Sequence, residues 1–182
     1  MKSTTFTLNT TQINSFWQPT LESSEALKGS YFNLNNALLN EVLKIQQLGL
    51  VIWSPDSNEY GLLLGELQKV CGWSNELLKK MGPENFLSHL VSSSFTGLCL
   101  LMKHMNTYLT SIPENQLHDF RAIYDYELVG NDGHIRRICQ ENSILTLDKN
   151  SKVQYFLSCI SNISNVKRDG KQHLFLTGSS KE

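Results

Sequence analysis

The last third of the chain constrains the fold most. From Phe120 onward three long strand-like runs, Phe120–Val129, His134–Leu147 and Lys152–Ile163, are separated by Gly130-Asn131-Asp132-Gly133 and Asp148-Lys149-Asn150-Ser151. Gly, Asn and Asp tolerate positive φ or cap their own backbone, so each separator reads as a tight turn and the three runs as an antiparallel meander. A hairpin turning at Lys149-Asn150 pairs residues whose numbers sum to about 298–300, which brings Cys139 near Cys159. Lys171–Thr177 can add one more short strand.

Upstream the pattern changes to short helices and a hairpin. Leu38, Leu39, Val42, Ile45 and Leu48 share one helical face; Asn33 or Asn35 is placed to cap that helix and Gly49 to stop it. Two short strands are expected at Leu50–Trp53 and Tyr60–Leu64, joined by a turn that holds Pro55 and Asp56. Glu66–Cys71 reads as a short helix. Ser74 then caps another, with Glu76 in its first turn, which ends at Gly82-Pro83. The strongest helical repeat is 95–112, where Leu98, Leu101, Met102, Met105, Leu109 and Ile112 form one stripe behind Ser94 as the expected N-cap. The organisation expected is an N-terminal arm at 1–33, with Phe16, Trp17 and Leu21 as apolar anchors, a main domain at 34–165 that includes its leading helix, and an extension or linker at 166–182.

Charge narrows the partners. Lys and Arg number 16 against 17 Asp and Glu, with no basic stripe, so this segment lacks the electrostatic footprint that grips nucleic acid. Its apolar runs are too short to span a bilayer. Met1–Thr11 has no charged and apolar secretion pattern, so a cytoplasmic location is expected and the sequons at Asn9 and Asn162 carry no meaning. The cysteines at 71, 99, 139 and 159 form no C-x-x-C pair and read as reduced thiols, not zinc ligands.

Two motifs carry a family resemblance. In "YDYELVGNDGHIRRICQENSILTLDKNSKVQYFLSCISNIS" the Asp132-Gly133 turn and the Asn162-Ile163-Ser164 ending resemble the C-terminal half of PAS domains, whose ending has Asp where Asn162 stands. Val70-Cys71-Gly72-Trp73-Ser74 through Leu77 resembles the segment "llGyspeeL" of the same family, with Trp73 in the aromatic place. The likeness covers about residues 37–165. An H-P-D-D stretch is missing, since Val91-Ser92-Ser93-Ser94 occupies its place. The resemblance implies an α+β PAS fold: a five-stranded antiparallel sheet with flanking helices and an N-terminal helical extension, the first strand lying between its hairpin partner and the last strand. The layout is also similar to the N-terminal sensor of LuxR-type transcriptional regulators. That likeness implies a homodimer built through the N-terminal region. It also implies a longer parent that meets DNA only through a C-terminal helix-turn-helix absent from this chain.

The candidate site is a small-molecule pocket between strands and long helix, assigned to Phe95, Met102, Met105, Tyr126, Asn142 and Ser158. Phe95, Met102 and Met105 could instead plug a filled core in a pure dimerisation module. No cofactor, metal or membrane contact is expected. His104 points away from the apolar stripe, which argues against haem ligation, and Leu100-Leu101 after Cys99 breaks the N-C-R-F motif of flavin photosensors. Cys139 and Cys159 invite a redox role, with small core side chains as the plainer reading. No catalytic set is found: His118-Asp119 and the pair Asp125 and Glu127 read as surface charges, so the chain is not expected to be an enzyme.

Overall fold

The computed structural model describes residues 37–178; the arm at 1–33 and the proposed caps Asn33 and Asn35 lie outside the described residues. The elements run α1 (Ala37–Ile45), β1 (Leu48–Ser54), β2 (Glu59–Gly65), α2 (Leu67–Cys71), α3 (Asn75–Leu87), α4 (Ser92–Ser111), a 3-10 helix (Glu114–Asp119), β3 (Arg121–Val129), β4 (Ile135–Leu147), β5 (Val153–Asn162) and β6 (Leu174–Thr177). The antiparallel sheet has the order β2-β1-β5-β4-β3-β6. The first five strands have the expected order, with β1 between β2 and β5. The sheet has six strands, not five, because Leu174–Thr177 returns to pair with Arg121–Tyr124.

Turn chemistry sets the meander. Asp132 Oδ1 accepts the His134 N–H at 3.1 Å while Gly133 takes a φ of 77°, and Asp148 Oδ1 accepts from both Asn150 and Lys152 N–H at 2.8 Å. Gly72 ends α2 at a φ of 84°, and a Cβ there would meet Gly130 Cα at 2.7 Å, so only glycine lets this turn lie against the β3–β4 turn.

Three local expectations are corrected. Gln47, at a φ of 54°, makes the left-handed step after α1, whereas Gly49 lies within β1, where a Cβ would collide with Leu67 at 2.1 Å. Ser94 is the third residue of α4, not its cap: it accepts the Glu127 N–H at 2.8 Å and ties helix to sheet, while Val91 precedes the helix without a side-chain cap. Gly82-Pro83 bends α3 instead of ending it. Gly82 sits at φ 76° and ψ 164°, and helix resumes to Leu87 because proline is tolerated in a first turn. Ser74 caps α3 as expected, accepting from Leu77 N–H at 3.3 Å.

One face of the sheet carries the main core. Alternation along β3, β4 and β5 puts Tyr124, Tyr126, Ile138, Phe156 and Ile160 on the side met by Leu67, Leu78, Leu98 and Met105. At about 25 cal/mol per Å² of apolar area, each such fully buried side chain contributes roughly 1.5–3 kcal/mol. α1 packs on β1 and β2, burying Leu43, with Asn40 Oδ1 accepting the Gly65 N–H at 2.9 Å. Its residues Leu38, Val42 and Ile45 stay exposed. The outer side of β3 is bonded along its length. Arg121–Tyr124 face β6, the Asp125 carbonyl accepts from Gln172 Nε2 at 3.1 Å, and Glu127–Val129 pair with His89–Val91.

Candidate functional site

Between the helices and the sheet lies a cavity of about 90 Å³. Val51, Leu63, Leu78, Phe86, Leu98, Met102 and Ile160 form its apolar walls, and Trp53, Tyr60, Tyr124, Tyr126, Gln140 and Ser158 bring polar groups to it. Pro55, Asn58 and Pro83 line it as half-exposed residues, where Asn58 Oδ1 accepts the Glu84 N–H at 2.9 Å and Asn58 Nδ2 donates to Glu84 Oε2 at 3.3 Å. The bend at Gly82 turns the second half of α3 toward this β1–β2 turn.

The polar groups form one network across four strands. Trp53 Nε1 donates to Ser158 Oγ at 2.8 Å, and Ser158 Oγ donates to Asn142 Oδ1 at 2.6 Å. Asn142 Nδ2 donates to the Tyr124 hydroxyl at 2.9 Å. A second branch runs from the Tyr126 hydroxyl to Gln140 Oε1 at 2.8 Å, and Gln140 Nε2 reaches Asn142 Oδ1 at 2.8 Å. The register makes this possible: β3 and β4 place Tyr124 opposite Gln140, and β4 and β5 place Asn142 opposite Ser158. Burial pushes the Tyr60 and Tyr124 phenols well above their ordinary range, so both keep their protons.

Of the six residues assigned to the pocket, Met102, Tyr126 and Ser158 line the cavity. Phe95, Met105 and Asn142 do not. Met105 is fully buried in the core, Phe95 packs at its margin, and Asn142, also fully buried, stands behind the wall as the hub of the network. Trp53, Tyr60, Tyr124 and Gln140 were not anticipated. Tyr124 shares the parity of Tyr126, and Gln140 that of Asn142, so the β3–β4 register was the signal that could have found both.

Cys71 also lines the cavity. Burial raises its thiol to about 11, so it stands there as a protonated, weakly polar group. Cys139 and Cys159 are half-buried free thiols, raised in pKa by burial, and sit diagonally, opposite Ser161 and Glu141 respectively. His104 is exposed and Cys99 is buried in α4. Among the described residues no three His, Cys, Asp or Glu side chains gather in a metal-binding cluster.

The opposite face of the same strands holds a charged cluster. Asp125, expected as a surface charge, is only 4% exposed. The chain after β5 folds back over it. Arg137 Nε donates to Asp125 Oδ2 at 2.6 Å, while Lys167 Nζ and the His173 backbone N–H each donate to Oδ1 at 2.9 Å. Arg137 also donates to the Lys171 carbonyl, and to Glu127 Oε1 at 3.3 Å. Burial would raise the Asp125 carboxyl, but these hydrogen bonds from Lys167, His173 and Arg137 outweigh it and hold it below its ordinary value. Glu127 stays half-buried at the cluster's margin. The Asn162-Ile163-Ser164 ending joins here too, with Ser164 Oγ accepting the Arg137 N–H at 2.9 Å.

No protein-family model and no curated protein matches the sequence. Solved structures with a similar arrangement include the N-terminal domain of a diguanylate cyclase with a PAS/PAC sensor from Marinobacter aquaeolei, at 13% identity and a TM-score of 0.48, covering 65% of this chain and 96% of that one. A sensory box histidine kinase/response regulator from Burkholderia thailandensis gives 13% identity and a TM-score of 0.48 over 70% of this chain and 85% of that one. The Drosophila melanogaster Cycle PAS-B domain with bound ethylene glycol gives 13% and 0.43 over 63% and 98%. No described helix is long and apolar enough to cross a membrane.

Proposed function

We propose that this chain is a regulatory sensory module of the PAS type, which takes a small molecule into the cavity and passes the change along β3 to its C-terminal return. The observation that carries the reading is an adjacency. Tyr124 lines the cavity, and the next residue, Asp125, points to the other face and holds Lys167 and His173. A ligand that shifts Tyr124 acts within one peptide unit of the anchor of residues 164–177, and it can bias two arrangements only by its differential affinity for them. The motifs around Asp132-Gly133 and Asn162-Ile163-Ser164 support the PAS assignment.

The role is regulatory and not catalytic, since the cavity offers hydroxyls, amides, an indole and a protonated thiol but no base beside a nucleophile. Through its likeness to LuxR-type sensors we place it in the cytoplasm, at the head of a longer transcriptional regulator whose DNA contact is a C-terminal helix-turn-helix. The exposed stripe of Leu38, Val42 and Ile45 on α1 supports a homodimer built there. Light scattering at micromolar concentration is expected to give about twice the 20.7 kDa chain mass, and Leu38→Glu with Ile45→Glu to halve it; an unchanged mass removes α1 from the interface.

Native mass spectrometry of protein purified from cells, compared with its denatured mass, tests the sensory reading. An added mass that denaturation releases, together with altered hydrogen exchange at 171–177 once it is stripped, is the expected result. A chain that carries nothing, and whose 171–177 exchange is indifferent to any compound entering the cavity, would leave only the filled-core dimerisation module.

A further inference from the structure

The direction of the buried network specifies the chemistry of what fills the cavity. The Trp53 indole N–H can only donate, so Ser158 Oγ accepts from it, and the serine turns its own hydrogen to Asn142 Oδ1. Asn142 Oδ1 also receives Gln140 Nε2, and in this amide orientation Nδ2 faces Tyr124. The Tyr124 oxygen therefore accepts, and its hydrogen has no acceptor among the described residues. Tyr124 is 3% exposed and lines the cavity, so this is a buried phenol donor with nowhere to go but inward. Tyr60, also on the wall, has no hydrogen-bond partner among the described residues either, but it is half-exposed and unconstrained.

Two further features limit the guest. Among the described residues no Lys, Arg, His, Asp or Glu lines the cavity, so a charged ligand would lose its hydration without meeting a countercharge. At about 90 Å³ the space is smaller than the roughly 150 Å³ apolar cavity known to admit benzene.

We propose that the cavity binds a compact neutral molecule bearing a hydrogen-bond acceptor of the carbonyl or ether type, which takes the unused Tyr124 O–H while its apolar remainder packs against Leu98, Met102 and Ile160. This rests on the ligand-sensing reading above and adds the ligand's class and the residue that selects it. Four side chains in series orient that donor: Trp53, Ser158, Asn142 and Tyr124. The selection is therefore set by β1, β5, β4 and β3 together.

Three probes of one compact shape test it on the full chain by NMR titration: acetone, 2-methylpropene, which replaces the carbonyl oxygen by a carbon, and isopropylammonium. Acetone is expected to bind about three- to tenfold more tightly than 2-methylpropene, the difference one hydrogen bond supplies, and isopropylammonium not to bind. In Tyr124→Phe the advantage of the ketone should vanish, while in Tyr60→Phe it should persist. Equal binding of the two neutral probes to the unaltered chain overturns the acceptor preference but leaves a ligand cavity, and needs no variant to fold. An advantage that survives Tyr124→Phe in a folded variant, or comparable binding of the ammonium, also overturns the proposal. If no probe shifts the cavity amides, the ligand-sensing reading fails with it.

Discussion

β3 and β4 carry two polar clusters on opposite faces, built from alternating residues of the same strands. Tyr124, Tyr126, Gln140 and Asn142 face the cavity, whereas Asp125, Glu127 and Arg137 face the C-terminal return. The charged cluster is closed: each Asp125 oxygen is occupied, and Arg137 reaches two carboxylates and a carbonyl. The neutral cluster is open, since its chain of donors ends in an O–H without an acceptor among the described residues. In the function proposed above, the closed cluster serves attachment and the open one recognition. The difference lies in direction as well as in charge, because charges here are paired in place while the neutral groups hand a donor on toward empty space.

The largest expected effect is on the closed side. Arg137→Ala leaves Asp125 buried with part of its countercharge gone, and should destabilise the domain by about 3–5 kcal/mol in urea unfolding. A loss below about 1 kcal/mol would mean that the cluster behaves as a surface pair and that the contrast fails. Acid probes the same carboxylate. Because the folded-state pKa of Asp125 is lowered, its contribution is present above the unfolded value of about 3.9 and disappears as pH falls through the lower folded value. Stability of the unaltered chain should therefore fall more steeply than that of Asp125→Asn between about pH 4 and the folded value, measured by thermal melts at stepped pH.

On the open side the effects are smaller. Tyr124→Phe removes the acceptor of Asn142 Nδ2 and should cost about 1–2 kcal/mol, less than Arg137→Ala because no charge is stranded. Tyr60→Phe, which breaks no hydrogen bond among the described residues, should stay within about 0.5 kcal/mol. If Tyr60→Phe proved as costly as Tyr124→Phe, the cavity hydroxyls would not differ in the way the network direction requires.

Much of the fold was legible because its signals are local. The Asp132-Gly133 and Asp148–Ser151 turns state their geometry in residue type, and with them come the meander and its register. The sixth strand was half visible at Lys171–Thr177, but its pairing with β3 depends on Lys167, Gln172 and His173 reaching residues about forty or more positions away in the chain. The site was less legible. Met102 and Met105 lie on one helical stripe, yet only Met102 borders the cavity, since a 3.6-residue period gives a face and not a depth. Asp125 was misread because alternation assigns it the outer face, and that face is exposed only if nothing later in the chain folds back over it. Ser94 was misread as a cap for the opposite reason: Ser and Thr bond whatever N–H is nearest, and here a strand supplied it.

The fully bonded flank of β3 has a consequence for how the molecule can associate. Exposed strand edges invite addition of a further strand, from a partner or from a misfolded copy. Leu174–Thr177, the Gln172 side chain and His89–Val91 occupy that side of β3 in turn, so no partner can pair with β3 itself without first lifting the C-terminal return, and the four-residue β6 is left as the short border strand on this side. Among the described residues β2 forms the other border, and its residues Glu59–Gly65 carry two glycines and follow a bulge between Ile52 and Trp53. Such a border is irregular and poorly suited to templating a flat continuation. Were the return released during signalling, the molecule would uncover a strand edge along with the buried charges of Asp125 and Arg137, so the active state would be both stickier and less stable than the resting one.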